Sequence, residues 1–107
     1  MNRGDVWQVD LGESAGRRPA LVLTRQGVIA HVTRVTVAEI TSRGKGYPTE
    51  VAIGQKANLP RESFVQLDNV QTVAKTRFVK YLGTLDVSTM RSVGRTLVLA
   101  LGLEDCV

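Results

Sequence analysis

Short apolar segments, separated by glycine, proline and asparagine, recur along most of the chain and constrain its fold more than any other feature. Val6 to Leu11 alternates apolar and polar residues, Ala20 to Leu23 is wholly apolar, and Val32 to Ile40 is rich in β-branched residues. Each pattern favours a strand, the first with one buried face and the second buried on both faces. Segments of this length and spacing predict a small barrel or sandwich of about six or seven strands.

A polar connector follows the third predicted strand. Thr41 to Pro48 contains Gly44, Gly46, Arg43 and Lys45, and an apolar pattern resumes over Thr49 to Ile53. Together with the preceding strand, this pattern predicts a hairpin with a basic tip. Three more apolar segments, which complete the expected strands, lie at residues 64–67, 71–73 and 79–82.

Only the C-terminal part of the chain predicts a long helix. Asp86 is a typical N-cap residue, Leu85 is placed to pack against Met90, and Gly102 is a typical αL residue beyond the helix end. The expected apolar face of this helix consists of Met90, Val93, Leu97 and Leu101. The expected fold class is therefore mainly β with a C-terminal helix. No repeat or linker interrupts the pattern, so residues 1–107 are expected to form one domain.

Residue counts exclude several kinds of chemistry. The chain has one cysteine, Cys106, and one histidine, His31. An intrachain disulfide, a zinc site of two cysteines or two histidines, and a two-histidine nuclease mechanism are therefore excluded. Neither a metal nor a cofactor is expected. The longest apolar stretch, Leu97 to Leu101, is far shorter than the ~20 residues that span a bilayer, so we expect a cytoplasmic protein without a membrane role.

The formal charge of +4 suits a polyanionic partner, although it also suits simple solubility. Pro19 favours an extended backbone at Arg18, and a guanidinium held in this way matches a phosphate. The alternative is that Arg18 pairs with a carboxylate such as Asp5 or Glu39. Spacing alone leaves both open.

Two further polar groups have two readings each. Thr41 and Ser42 follow the long strand, where their hydroxyls either contact a phosphate or satisfy a turn. Asp68, Asn69 and Gln71 either form an ordinary turn or read the edges of bases.

Five blocks in order resemble the MazF/PemK (Kid) toxin family: Arg3-Gly4-Asp5-Val6-Trp7, Gly16 to Leu23, Glu39-Ile40-Thr41-Ser42, Leu59 to Val65, and Leu67 to Val73. The terminal helix also falls where that family has one. The resemblance implies a small SH3-like, CcdB/PemK-like β-barrel with a C-terminal helix. It also implies a homodimeric toxin that cleaves single-stranded RNA at short motifs without a metal, and an acidic antitoxin as partner. Attack by the 2′-hydroxyl would leave a 2′,3′-cyclic phosphate and a 5′-hydroxyl. Messenger, transfer and ribosomal RNA are all open as the natural target.

The resemblance also implies roles for individual residues. The family's catalytic arginine and threonine correspond to Arg18 and Thr41, and its later acidic residue corresponds to Asp68. Gln66 stands where some relatives have an arginine, which leaves the proton-transfer residues unassigned. The residues expected to bind RNA are Arg17, Ser42, Arg43, Lys45, Asp68, Asn69 and Gln71.

Two other classes of function compete with the nuclease. Toxins that inhibit DNA gyrase resemble the same barrel-plus-helix architecture, and here that function would fall on the terminal helix and Leu103 to Val107. An SH3-like adaptor usually displays several aromatic residues in its groove, whereas only 5% of this chain is aromatic.

Overall fold

The computed structural model describes residues 1–107 and contains one antiparallel sheet of six strands in the order β4-β5-β3-β2-β1-β6. The strands are β1 (Asp5–Asp10), β2 (Arg17–Val22), β3 (Arg34–Thr41), β4 (Glu50–Gly54), β5 (Ser63–Ala74) and β6 (Phe78–Thr84). The helices are α1 (Gln26–Ile29) and α2 (Val87–Ala100), with short 3₁₀ turns at Lys75–Arg77 and Glu104–Cys106. The predicted mainly-β class with a C-terminal helix is confirmed. None of the helices is long and apolar enough to cross a membrane.

The predicted hairpin between the third and fourth strands is wrong. β5 lies between β3 and β4 and pairs with both, so the connector at residues 42–49 spans one intervening strand. β5 pairs with β3 along most of its length, which a short hairpin partner such as β4 cannot do. Strands that follow each other in the chain usually pair, but here β3 pairs with the longer, more distant strand β5 instead of with β4.

The two apolar segments at residues 64–67 and 71–73 belong to one strand. Ala38 pairs with Val70 while Glu39 pairs with Gln66, so the intervening residues bulge out of the β3–β5 ladder. The bulge contains Asp68 and Asn69, so the ordinary turn, one of the two alternatives that the sequence left open, does not form there. Thr49 fixes the bulge: its carbonyl accepts from the Leu67 N–H, and its hydroxyl donates to Asp68 Oδ2 at 2.5 Å.

Apolar side chains lie on both faces of the sheet. Leu21 belongs to a core cluster that packs beneath α2, and its neighbours Ala20 and Val22 belong to a second cluster on the opposite face. The prediction that this segment is buried on both faces is therefore confirmed. The first cluster joins all of β1 to β5 with α2, which fixes the helix against the sheet.

The outer strands β4 and β6 are not paired with each other, yet the loop after β4 lies against β6. Asn58 Nδ2 donates to the Leu82 carbonyl at 2.7 Å. The backbone of Ala57 lies directly over Gly83, where an added Cβ would be 2.7 Å from Ala57 Cα. The sheet is therefore curled, and its two outer strands, β4 and β6, approach each other through the loop after β4.

Helix α2 begins and ends as predicted, but its inner face differs. The Asp86 side chain accepts from the Thr89 N–H, and beyond the helix end Gly102 has a φ of +67°. The Leu103 N–H donates to the Val98 carbonyl in the pattern of a Schellman motif. Leu101 is 58% exposed, because the helix ends before it, and Ala100 packs on the core instead. Helix α1 is a single turn without a side-chain cap, so no sequence pattern predicted it.

Acid is expected to weaken the N-terminal end of α2. Hydrogen bonds from the Thr89 side chain, and then from Lys56, lower the pKa of Asp86 from 3.8 to about 2. A group whose pKa is lower in the folded state stabilises it above the unfolded pKa, and that contribution is lost as the pH falls from about 4 to about 2. Asp86→Asn keeps a good cap without the charge, so the thermal midpoint of this variant should vary less with pH across that window. Equal slopes for both proteins, measured by circular dichroism, would contradict this assignment.

Candidate nucleic-acid site

Two arginines, Arg17 and Arg18, begin β2. Arg17 pairs with Asp10 and Arg18 with Val9 across the β1–β2 hairpin. The β1–β2 ladder therefore starts before Pro19. Proline fits an extended backbone at a position where the ladder requires no N–H donor. The backbone of both arginines is held by the sheet.

Arg18 is oriented by two contacts of its Nε. This nitrogen donates to the Ala15 carbonyl at 3.0 Å and lies 3.4 Å from Glu39 Oε1. Of the two carboxylates weighed as partners, Glu39 is the one in contact, whereas Asp5 is buried and accepts from the Thr84 hydroxyl. The terminal nitrogens of Arg18 make no hydrogen bond within the chain, and its side chain is 47% exposed. The guanidinium is thus positioned and still has donors for an external oxyanion.

Thr41 and Arg18 are brought to one cavity by the β2–β3 pair. The β2–β3 ladder ends where Ala20 pairs with Glu39, two residues before Thr41 on β3 and two residues after Arg18 on β2. Both residues line a surface cavity of about 220 Å³. The cavity is also lined by Arg17, Pro19, Ile40, Ser42, Arg43, Leu59, Pro60, Arg61 and Ser63. Basic side chains are abundant around it, and no acidic residue is among its lining residues.

The Thr41 hydroxyl also has a defined orientation. Its Oγ1 accepts from the Arg43 N–H at 3.0 Å, which is the turn contact that the sequence left open. Because a lone pair is used in that bond, the O–H remains free to donate into the cavity. Thr41 therefore accepts the hydrogen bond that stabilises the turn and also lines the candidate site.

Arg61 is a cavity residue to which the sequence reasoning assigned no role. It lies in the loop between β4 and β5, well separated in sequence from Arg18 and Thr41. Its place in the block Leu59 to Val65 was the only available signal. The curled sheet brings that loop beside β2 and β3.

A row of polar side chains extends from Arg18 across three strands. Glu39 contacts Arg18 and pairs with Gln66, and the Gln66 Oε1 accepts from Asn69 Nδ2 at 3.1 Å. Asp68 is exposed at the same bulge. The bulge thus turns two residues expected to bind RNA outward, near the end of this row.

The other predicted residues lie apart from the cavity. Lys45 is exposed on the connector after β3, where its N–H donates to the Glu50 carboxylate at 3.0 Å. Gln71 lies by a second cavity, further along β5. His31 is exposed in the turn after α1 and has no place in either cavity.

Comparisons with known proteins agree with this architecture. A family model described as "PemK-like, MazF-like toxin of type II toxin-antitoxin system" matches residues 2–101. The chain is 36% identical over 105 residues to the probable endoribonuclease MazF5 of Mycobacterium tuberculosis (strain ATCC 25618 / H37Rv), covering 97% of this chain and 93% of that protein.

Solved structures resemble the whole fold. The Mycobacterium tuberculosis toxin MazF-mt6 matches with a TM-score of 0.86 and 32% identity, over 94% of this chain and 98% of that one. An endoribonuclease in complex with its cognate antitoxin, from a mycobacterial species, matches with a TM-score of 0.85 and 32% identity, over 96% of each chain. The resemblance drawn from the sequence blocks is confirmed, and the chain belongs to the PemK-like, MazF-like family of toxins of type II toxin-antitoxin systems.

Proposed function

We propose that this chain is an endoribonuclease toxin that cleaves single-stranded RNA without a metal, with Arg18 and Thr41 as its catalytic residues. The observation that carries the proposal is a positioned guanidinium and a free hydroxyl proton beside one basic cavity. Relatives named endoribonucleases support the nuclease over the gyrase inhibitor. We assign residues 1–107 to a single toxin domain, consistent with the family match over residues 2–101.

The reaction follows from where charge develops. The ribose 2′-oxygen bonds to the adjacent phosphorus, the bond from phosphorus to the 5′-oxygen breaks, and the products are a 2′,3′-cyclic phosphate and a 5′-hydroxyl. The 2′-oxygen loses a proton and the 5′-oxygen gains one, so atoms balance without water. Arg18 donates from its free nitrogens to the non-bridging oxygens, and the Thr41 O–H adds a third donor. Fixed donors of this kind need no reorganisation as charge accumulates.

Binding and base recognition would use the polar groups around the cavity. Arg17, Arg43 and Lys45 carry free charges for phosphates, and Ser42 offers a hydroxyl beside Thr41. Asp68, Asn69 and Gln71 present amide and carboxylate groups suited to the edges of unpaired bases. Trp7 packs against Phe78 and Tyr81, so it serves packing rather than base stacking.

Removing the Thr41 hydroxyl is expected to lower kcat by about a hundredfold. Thr41→Val keeps the branched shape that suits a strand end but has no proton to donate. Thr41→Ser keeps the hydroxyl and should retain most of the activity. Both are compared with the wild-type chain in single-turnover cleavage of one RNA. A Thr41→Val variant with wild-type kcat would remove Thr41 from the catalytic pair.

The function itself is tested by incubating the purified chain with a long single-stranded RNA in excess EDTA and mapping the new ends. Discrete cleavage positions with 5′-hydroxyl and cyclic-phosphate ends are expected. RNA left intact by folded chain free of antitoxin would favour the inhibitor of a protein target. Cleavage only after Mg²⁺ is added would contradict the metal-free mechanism.

The partner and the setting follow from the same assignment. We propose an acidic antitoxin that covers the basic cavity, a homodimeric toxin and a cytoplasmic location. One structural relative is an endoribonuclease in complex with its cognate antitoxin, which supports a partner of this kind. An antitoxin that binds the chain at saturation and leaves cleavage unchanged would contradict a covered cavity.

A further inference from the structure

Arg34 and Arg77 line a second surface cavity of about 260 Å³. Its other lining residues are Leu11, Gly12, Gln71, Thr72 and Val73, and none of them is acidic. The cavity lies where the second half of β5 pairs with β3 alone, because β4 reaches only as far as Gln66. It is therefore open to solvent beyond the end of β4.

Each of these arginines is anchored by one nitrogen. Arg34 Nη2 donates to the Thr72 carbonyl at 2.9 Å, and Arg77 Nη1 donates to the Asp10 carbonyl at 3.4 Å. The ion pairs of the chain are Arg18–Glu39 and Lys56–Asp86, so neither Arg34 nor Arg77 has a carboxylate partner. Two guanidiniums held by backbone carbonyls, with their charge unpaired and donors free, suit the oxygens of a phosphate.

The second cavity shares no lining residue with the proposed catalytic cavity, but strand pairings relate the two on both sides of the β1–β2 loop. On one side, Arg17 pairs with Asp10, the residue whose carbonyl holds Arg77. The neck of the loop is narrow, because the Leu11 N–H donates to the Gly16 carbonyl at 2.9 Å. A chain of nucleotides passing this neck would meet basic side chains before and after it.

On the other side, the link runs along the sheet. Gln71 pairs with Val37 and Gln66 pairs with Glu39. Val37 and Glu39 are two residues apart on β3, so both pairs lie on one face of the sheet, about 7 Å apart. Gln71 thus continues the polar row that begins at Arg18.

We propose that Arg34 and Arg77, which lie in one cavity with Gln71, form a phosphate-binding extension of the RNA track. This extension lies on the far side of the β1–β2 loop from the cleavage site. This inference rests on the proposed nuclease function. The extension holds the backbone of nucleotides that flank the cleaved linkage and adds affinity for long RNA. It takes no part in the bond-breaking step.

The test is a double variant, Arg34→Gln with Arg77→Gln, which removes both charges and keeps a polar amide donor at each position. KM for a long single-stranded RNA should rise about tenfold with kcat unchanged. An oligonucleotide that spans only the cleavage motif should be cut as by the wild type. With an RNA methylated at the attacking 2′-oxygen, the slope of log Kd against log salt should fall by about 1.4, since each phosphate contact on a single strand contributes about 0.7.

The matched control is Arg91→Gln with Arg95→Gln, which removes the same charge from exposed positions on α2. Its KM and salt slope should equal those of the wild type. Arg77→Gln alone, which loses only a long 3.4 Å hydrogen bond, repeats the test with half the effect if the double variant is unstable.

Wild-type KM and salt slope in the Arg34/Arg77 variant, alongside an inactive Arg18→Ala, would overturn this proposal and leave the nuclease function standing. Equal losses on short and long RNA would also overturn it, because the arginines would then act within the catalytic cavity. Full cleavage by Arg18→Ala would instead contradict the proposed function itself.

Discussion

Replacing Arg18 with alanine is expected to lower kcat for RNA cleavage by about a hundredfold to a thousandfold. The guanidinium is held by the Ala15 carbonyl and by Glu39, and its terminal nitrogens remain free at the cavity that Thr41 also lines. Loss of a fixed donor removes stabilisation that acts mainly on the charge of the transition state, so kcat should fall more than KM rises. Single-turnover cleavage in EDTA, with the ends mapped, measures both.

Arg18→Lys separates the charge of the side chain from its shape. Lysine keeps the positive charge but loses the planar fork, and its ammonium cannot hold both Ala15 and Glu39 while offering two parallel donors to a phosphate. Most of the activity should be lost. Arg95→Ala, an exposed change on α2 that removes one side-chain hydrogen bond, to Ser92, serves as the control for loss of net charge. Cleavage at the wild-type rate by Arg18→Lys would contradict the bidentate contact.

Gly83→Ala is expected to lower the free energy of unfolding by about 2 kcal/mol, within the range typical of overpacked sites. An added Cβ would lie 2.7 Å from Ala57 Cα and 3.0 Å from its carbonyl carbon. These are backbone atoms at a residue with a φ of +54°, so no rotation of a flexible side chain relieves the clash. Because this loop packs β4 against β6, relieving the clash would move the loop away from β6 and weaken the contacts between the two outer strands.

Gly94→Ala is the matched control. Gly94 lies inside α2, and a Cβ there would have nothing within 4 Å. Alanine in a helix interior is more favourable than glycine by about 0.5–1 kcal/mol, so this variant should be more stable than the wild type. Urea unfolding of both variants gives the comparison. A Gly83→Ala variant as stable as the wild type would show that the loop does not pack tightly on β6.

Local patterns were sufficient for the elements with strong periodicity or defined ends. The β-branched stretch to Ile40 forms β3, Ala20 to Leu23 is buried on both faces, and Asp86 and Gly102 bound α2. These features depend on side-chain shape, alternation and capping, all of which act within a few residues. Order in the chain also identified the family, because five blocks in sequence are more specific than any one of them.

Local patterns failed where distant segments decide the outcome. Asp68 and Asn69 look like turn residues, yet pairing of β5 with β3 and the contacts of Thr49 keep them within a strand as a bulge. The strand order has the same origin, since β5 gains more pairing between β3 and β4 than a local hairpin would provide.

The candidate site likewise combines features that are local in the sequence with features that depend on distant segments. The sequence by itself determined which residue types were present: an arginine held extended before Pro19, a hydroxyl after a long strand, and a net positive charge. Only the tertiary structure decided that Arg18 pairs with Glu39 rather than Asp5, that Arg61 joins the cavity, and that Gln71 lies with Arg34 and Arg77. The physical reason is that backbone preference and charge belong to single residues, whereas a binding site is a set of distances across strands, set by how the sheet pairs and curls.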